Sequence, residues 1–189
     1  LTFLPWQRWL IDGLLERRPI DHKLRYRRAL VGVPRKQGKS LIGSAIALYG
    51  LFSGLEPGAE VYSAAGDRQQ ARIVFGEAKA QVEANPLLAA ETKIYRDAIE
   101  VPAYGAVYRV LSSDGRLQHG LNPSMVIFDE LWGQKNDDLW DALTLGSGAR
   151  VDPIIIAITT AGFDVQSLCG RIYQYGQRVA AGDLVDPAF

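Results

Sequence analysis

A chain of 189 residues, 48% hydrophobic and 22% charged, is long enough to bury a full core and too apolar for intrinsic disorder. Lysine plus arginine equals aspartate plus glutamate at 21 each, which excludes a global basic field for tight nonspecific nucleic-acid binding, so any DNA contact must be local. One cysteine, Cys169, and two histidines exclude an internal disulfide and a zinc-type ligand cluster, and a reducing, intracellular setting fits best.

Leu10, Leu14 and Leu15 beside Trp6 give a helical stripe over residues 5–17. Arg8, Arg17, Arg18, Lys23, Arg25, Arg27 and Arg28 then outnumber Asp12, Glu16 and Asp21, a run read as a solvated face in preference to a phosphate-contacting patch. The apolar run 29–33, ending at Pro34, predicts a buried strand, and residues 39–52 a helix. Gly43, Ser44 and Gly50 interrupt the longest apolar stretch, which is too short to span a bilayer, so no membrane partner is expected. Residues 60–65 alternate into a strand closed by Gly66-Asp67.

Asp67 and Gln70 resemble a capping box, and Ala71, Val74, Phe75, Ala78 and Val82 recur at helical spacing up to Pro86. Residues 93–101 and 106–112, separated by Pro102 and Gly105, predict a β-hairpin. The fully apolar runs 125–128 and 154–158 suit central parallel strands. Strands alternating with helices make one α/β domain over residues 1–189, a mostly parallel sheet with helices on both faces. A first residue that is not Met, and a last stretch with no stop-like structure, suggest a fragment of a longer polypeptide.

The first apolar strand feeds Pro34-Arg35-Lys36-Gln37-Gly38-Lys39-Ser40, and a helix follows at once. A phosphate-binding loop needs that context, because backbone N–H groups and the helix N-terminus converge on anionic oxygens. Val33 departs from the consensus, standing at the first glycine position with Gly32 beside it. The strand at 125–128 ends in Asp129-Glu130, two carboxylates at the sheet edge where open α/β folds bind ligands. ATP with Mg²⁺ is the expected substrate. Lys39 reaches the β/γ-phosphates, Ser40 and Asp129 hold Mg²⁺, and Glu130 polarises the attacking water.

Arg35 is a candidate stabiliser of the γ-phosphate in cis, with Lys36 a second cation in the loop. Thr159, Thr160 and Gly162 stand at the tip of the 154–158 strand, where hydroxyls can report on the γ-phosphate. That role requires the 154–158 strand to lie between the 29–33 and 125–128 strands. An arginine supplied to a neighbouring subunit is assigned to Arg116, which follows Ser112-Ser113-Asp114-Gly115, whereas Arg150 enters the 154–158 strand from the wrong end.

In this order the motifs resemble the ATPase domain of the large terminase subunit of tailed bacteriophages. Residues 33–40 are similar to that family's glycine-poor Walker A loop, with Arg35 where the family carries an arginine. Residues 126–130 resemble its Walker B segment and 158–162 its coupling motif. Leu4-Pro5-Trp6-Gln7 resembles its adenine-recognition segment, which gives Gln7 a base-reading role.

The resemblance implies a RecA-like P-loop NTPase fold of the additional-strand, catalytic-glutamate type. It also implies a motor that threads viral double-stranded DNA into a procapsid. Such a motor works as a homo-oligomeric ring on the portal protein, with the small terminase subunit as partner, in the host cytoplasm. The family's C-terminal nuclease is expected to lie outside this chain. Two other readings stay open: a helicase-type nucleic-acid translocase, and an ATP-binding assembly switch without turnover.

Overall fold

The structure, a computed structural model, describes residues 2–54, 56–112, 120–134, 136–160, 162 and 164–189. The first half of the chain forms α1 (Pro5–Leu14), β1 (Arg28–Gly32), α2 (Lys39–Phe52), β2 (Glu60–Ala65), α3 (Arg68–Glu83) and α4 (Pro86–Ala90). There follow β3 (Lys93–Ile94), β4 (Ala98–Val101), β5 (Ala106–Ser112), β6 (Met125–Asp129), α5 (Asp138–Gly146), β7 (Ile154–Thr159) and α6 (Leu168–Ala180).

The described strands make a seven-stranded sheet in the order β1-β7-β6-β2-β5-β4-β3. Strands β1, β7, β6, β2 and β5 run parallel, and β4 and β3 continue antiparallel at the edge. The expected order holds: β7 lies between β1 and β6, with Val31 paired to Ile158 and Asp129 also paired to Ile158. The chain is thus a mixed α/β fold with a mostly parallel sheet, as the alternation of elements predicts.

The all-apolar strands are explained by a core on each side of the sheet. Met125, Ile127, Ile154, Ile156 and Ile158 pack with Ile42 and Ile46 of α2 and Val74 and Ala78 of α3. Val126, Phe128, Ile155 and Ala157 pack instead with Leu139 and Leu143 of α5 and Leu168 and Cys169 of α6. Each such aliphatic or aromatic side chain contributes about 1.5–3 kcal/mol when fully buried. Because strand side chains alternate between faces, the residue two beyond Ile127 falls on the α2–α3 side, and that residue is Asp129. The same parity puts Thr159 on the α6 side.

Three local expectations change. The first helix stops at Leu14, and an antiparallel bridge between Arg17 and Leu24 turns the chain back before β1. The 93–101 arm folds back on itself as β3 and β4, which pair antiparallel with Ile94 opposite Ile99, and at the turn between them the Asp97 side chain meets Arg72 and Arg68 of α3 at 2.7 and 2.9 Å. Pro86 opens α4 at its first turn, capped by the Asn85 side chain, as well as ending α3. The basic run before β1 is largely neutralised, since Arg17, Arg18, Arg25 and Arg28 pair with Asp152, Asp21, Glu16 and Asp186. It is a solvated, ion-paired face.

Candidate active site

At the end of β1 the Val33 N–H donates to the Thr159 carbonyl at 3.0 Å, so the loop starts against the tip of β7. Lys36 (φ 64°) and Gly38 (φ 80°) then adopt left-handed backbone and turn the chain into α2, whose N-cap is Gly38. No side chain caps that helix, which leaves its first-turn N–H groups directed at the cleft above the sheet. Glycine at 38 is also a packing requirement, because an added Cβ would lie 2.9 Å from Gln7 Nε2.

Gln7 is buried, accepting from the Leu4 N–H at 3.0 Å and donating to the Gln37 carbonyl at 3.1 Å. In this arrangement its amide ties the start of α1, through Leu4, to the loop, through Gln37. Reading a base edge would require Gln7 to exchange those bonds.

The cleft has a volume of about 570 Å³ and is lined by Arg35, Lys36, Lys39, Gly66, Asp67, Gln70, Glu130, Trp132 and Gly133. Lys39 Nζ lies 2.5 Å from Glu130 Oε1. The other carboxylate oxygen of Glu130 accepts from the Trp132 indole N–H (2.6 Å), the Thr160 N–H (3.2 Å) and the Thr160 hydroxyl (3.1 Å). Burial alone would raise the Glu130 carboxyl, but the Lys39 ammonium, the Thr160 N–H and the indole outweigh it and hold the group below its ordinary value. Glu130 leaves the strand with left-handed backbone (φ 50°), which swings its side chain toward Lys39 and Thr160 while Asp129 stays in β6.

Asp129 is 3% exposed and accepts from Gln70 Nε2 at 2.8 Å. Burial pushes its carboxyl above its ordinary value, although the Gln70 amide acts to lower it. A buried carboxylate beside an uncapped helix N-terminus is suited to a divalent cation, which would supply positive charge there. Among the described residues no group of three or more His, Cys, Asp or Glu could hold a metal alone.

The structure therefore brings Lys39, Asp129, Glu130 and Thr160 together at one edge of the sheet. Arg35 and Lys36 are exposed on the cleft, Thr159 is buried facing α6 with its hydroxyl donating to the Thr160 carbonyl at 3.0 Å, and Gly162 abuts Trp132. Arg116 lies outside the described residues.

Three contributors escape a sequence reading. Gln70 makes only half of a capping box: its N–H donates to Asp67, but its side chain crosses to Asp129. Trp132 engages Glu130. Gln134 sits beside Gly66 with both amide atoms buried and without a partner among the described residues.

Residues 5–178 match the family model for the terminase large subunit ATPase domain. The chain is 34% identical over 139 residues to the terminase large subunit of Enterobacteria phage HK97, a match covering 70% of this chain and 27% of that protein. It is 27% identical over 184 residues to the terminase large subunit of Lactococcus phage p2, covering 92% and 34%. The crystal structure of the HK97 bacteriophage large terminase superposes with a TM-score of 0.85 at 26% identity, over 100% of this chain and 38% of that one. The chain thus spans about a third of the length of these relatives.

Proposed function

Because the chain belongs to the terminase large subunit ATPase-domain family, we propose that it hydrolyses ATP to power translocation of viral double-stranded DNA into a procapsid. The supporting observation is the position of Glu130, held between the P-loop lysine and the hydroxyl-bearing tip of β7. An ATP-binding switch without turnover has no need of that second carboxylate. The matched family also favours a packaging motor over a helicase-type translocase.

In this reading the uncapped N-terminus of α2 and the N–H groups of Lys36, Gln37 and Gly38 bind the phosphate chain, and Lys39 moves from Glu130 onto the β/γ-phosphates. Ser40 and Asp129 hold Mg²⁺, which supplies charge neutralisation at the phosphates when bound. Glu130 takes a proton from the water whose oxygen bonds to the γ-phosphorus, as the bond to the bridging oxygen breaks and ADP leaves. Arg35 neutralises charge on the γ-phosphoryl within the same subunit, and Gln7 reads the adenine edge after exchanging its loop contacts. An arginine from a neighbouring subunit, assigned to Arg116, completes the site in a ring.

Docking on the portal protein and procapsid in the host cytoplasm, with the small terminase subunit, belongs to the same proposal. Among the described residues no helix is long and apolar enough to cross a membrane. Phosphate release from Mg·ATP by the purified protein, with Glu130→Gln as control, tests the reading. The control should bind nucleotide and release no phosphate. Glu130→Gln turning over at the wild-type rate would leave Glu130 as a strand-end cap and remove the basis of the proposal.

A further inference from the structure

The two oxygens of the Glu130 carboxylate are held in different ways. Oε2 accepts three hydrogen bonds, from the Trp132 indole N–H, the Thr160 N–H and the Thr160 hydroxyl, at 2.6, 3.2 and 3.1 Å. Among the described residues Oε1 meets only Lys39 Nζ, at 2.5 Å. The three donors on Oε2 belong to the turn after β6 and to the tip of β7, both fixed to the sheet. The single donor on Oε1 is a flexible ammonium that an arriving phosphate chain attracts. An oxygen already engaged by three donors has little capacity left to take a proton, whereas one released by Lys39 has all of it.

Trp132 is the shortest of the fixed contacts. It sits in the 3₁₀ turn Leu131–Gly133, and Leu131, fully buried, anchors that turn in the core under α5 and α6. Trp132 as a whole is 42% exposed and lines the cleft, so core packing does not account for it. On its other side an added Cβ at Gly162 would come within 3.1 Å of the Trp132 Cβ, so glycine there leaves the tryptophan its place.

Resting on the reading of Glu130 as the base, we infer that Trp132 is a positioning residue: its indole N–H, with Thr160, clamps Oε2 so that Oε1 alone faces the attacking water. The role requires no contact of the ring with the reacting phosphoryl group. Its effect passes through the orientation of one carboxylate, so removing the N–H while keeping an aromatic ring should slow the chemical step and leave nucleotide binding intact.

The test compares Trp132→Phe, Trp132→His and Trp132→Gln with wild type and with Glu130→Ala, measuring kcat and ATP affinity separately. Trp132→Phe should lower kcat about tenfold, the scale of one hydrogen bond to a charged group, with ATP Kd within about twofold of wild type. At least one of the His and Gln variants, which restore an N–H donor, should recover most of the loss. A second readout needs no turnover. With ¹⁵N-labelled tryptophan, the indole resonance that Trp132→Phe removes should move upfield in Glu130→Ala, because its acceptor is gone.

Wild-type kcat in Trp132→Phe, no recovery by either donor variant, or an indole resonance indifferent to Glu130→Ala would each overturn the inference. If Glu130→Ala itself hydrolyses ATP at the wild-type rate, the reading of Glu130 as base fails and the inference with it. A fast Trp132→Phe beside an inactive Glu130→Ala overturns the inference alone.

Discussion

Lys39 and Glu130 are bonded to each other, ammonium to carboxylate, at 2.5 Å. Under the proposed function, ATP has to take Lys39 from this carboxylate. Glu130→Gln removes the competing charge and is expected to bind ATP more tightly than wild type, by up to about tenfold, while losing turnover. Lys39→Ala should weaken binding by at least about tenfold. Titration calorimetry with ATP on each variant reads both effects, and equal affinities in wild type and Glu130→Gln would show that the ion pair is not a competitor.

The buried carboxylate of Asp129 is raised above its ordinary value by burial, although the Gln70 amide acts to lower it. An acid raised in this way costs stability at neutral pH, where it must ionise inside the fold. Asp129→Asn is expected to raise the Tm of the nucleotide-free protein by about 2–4 °C, on the order of 1 kcal/mol. The same variant should lose the further Tm increase that Mg·ATP gives the wild type. A drop in nucleotide-free Tm would show that the Gln70 amide already compensates the charge.

Asp97 is held at about 2, chiefly by its hydrogen bonds with Arg72, with Arg68 assisting. Its folded value lies below its unfolded one, so the ion pair contributes stability above roughly pH 4, and that contribution is lost as pH falls toward about 2. Asp97→Asn should accordingly melt below wild type at neutral pH, with the gap closing between pH 4 and pH 2. Because the pair lies at the surface, added salt should narrow the gap as well. A gap independent of pH would assign the effect to the turn between β3 and β4.

Gly170, in the first turn of α6, packs against the chain that returns from β7: an added Cβ would lie 2.5 Å from the Val165 carbonyl and 2.6 Å from that of Asp164. Both obstacles are backbone. Gly170→Ala should cost about 1–3 kcal/mol, seen as a lower denaturation midpoint, because the Asp164–Val165 segment must move off the helix. Gly76, which meets nothing within 4 Å, is the control: Gly76→Ala should be neutral or stabilising.

The parts of the fold legible in the sequence are those whose signal is local. Strands β1, β2, β6 and β7 are short apolar runs, α2 has the length and content of a helix, and Asp129-Glu130 closes β6 where an acidic pair is visible by eye. Even the place of β7 between β1 and β6 follows from asking which order brings Thr159 and Thr160 beside the phosphates, although the contact the structure makes there, with Glu130, is from Thr160. What the sequence conceals depends on contacts between distant segments. Gln70 sits at capping-box spacing, and only the adjacency of β2 and β6 sends its amide to Asp129 instead. Trp132 reads as an ordinary turn aromatic until Glu130 takes left-handed backbone and brings its carboxylate under the indole. Helix α6 carries Gly170 and Gly176 among mixed polar and apolar residues, and its Leu168 and Cys169 become a core face only against β7 and α5.

Glu130 occupies left-handed backbone at φ 50°, a conformation that costs a residue other than glycine, asparagine or aspartate about 1 kcal/mol. Its neighbour Asp129 is a charge kept under cover. In a lineage of this domain released from selection for turnover, the two positions would therefore drift early, 130 toward glycine or asparagine and 129 toward an amide, each step making the protein easier to fold. The apolar strands beneath them would persist. A degenerate homologue that keeps the Met125–Phe128 run but has lost the acids after it would then be read as a domain retained for its shape after its engine had been given up.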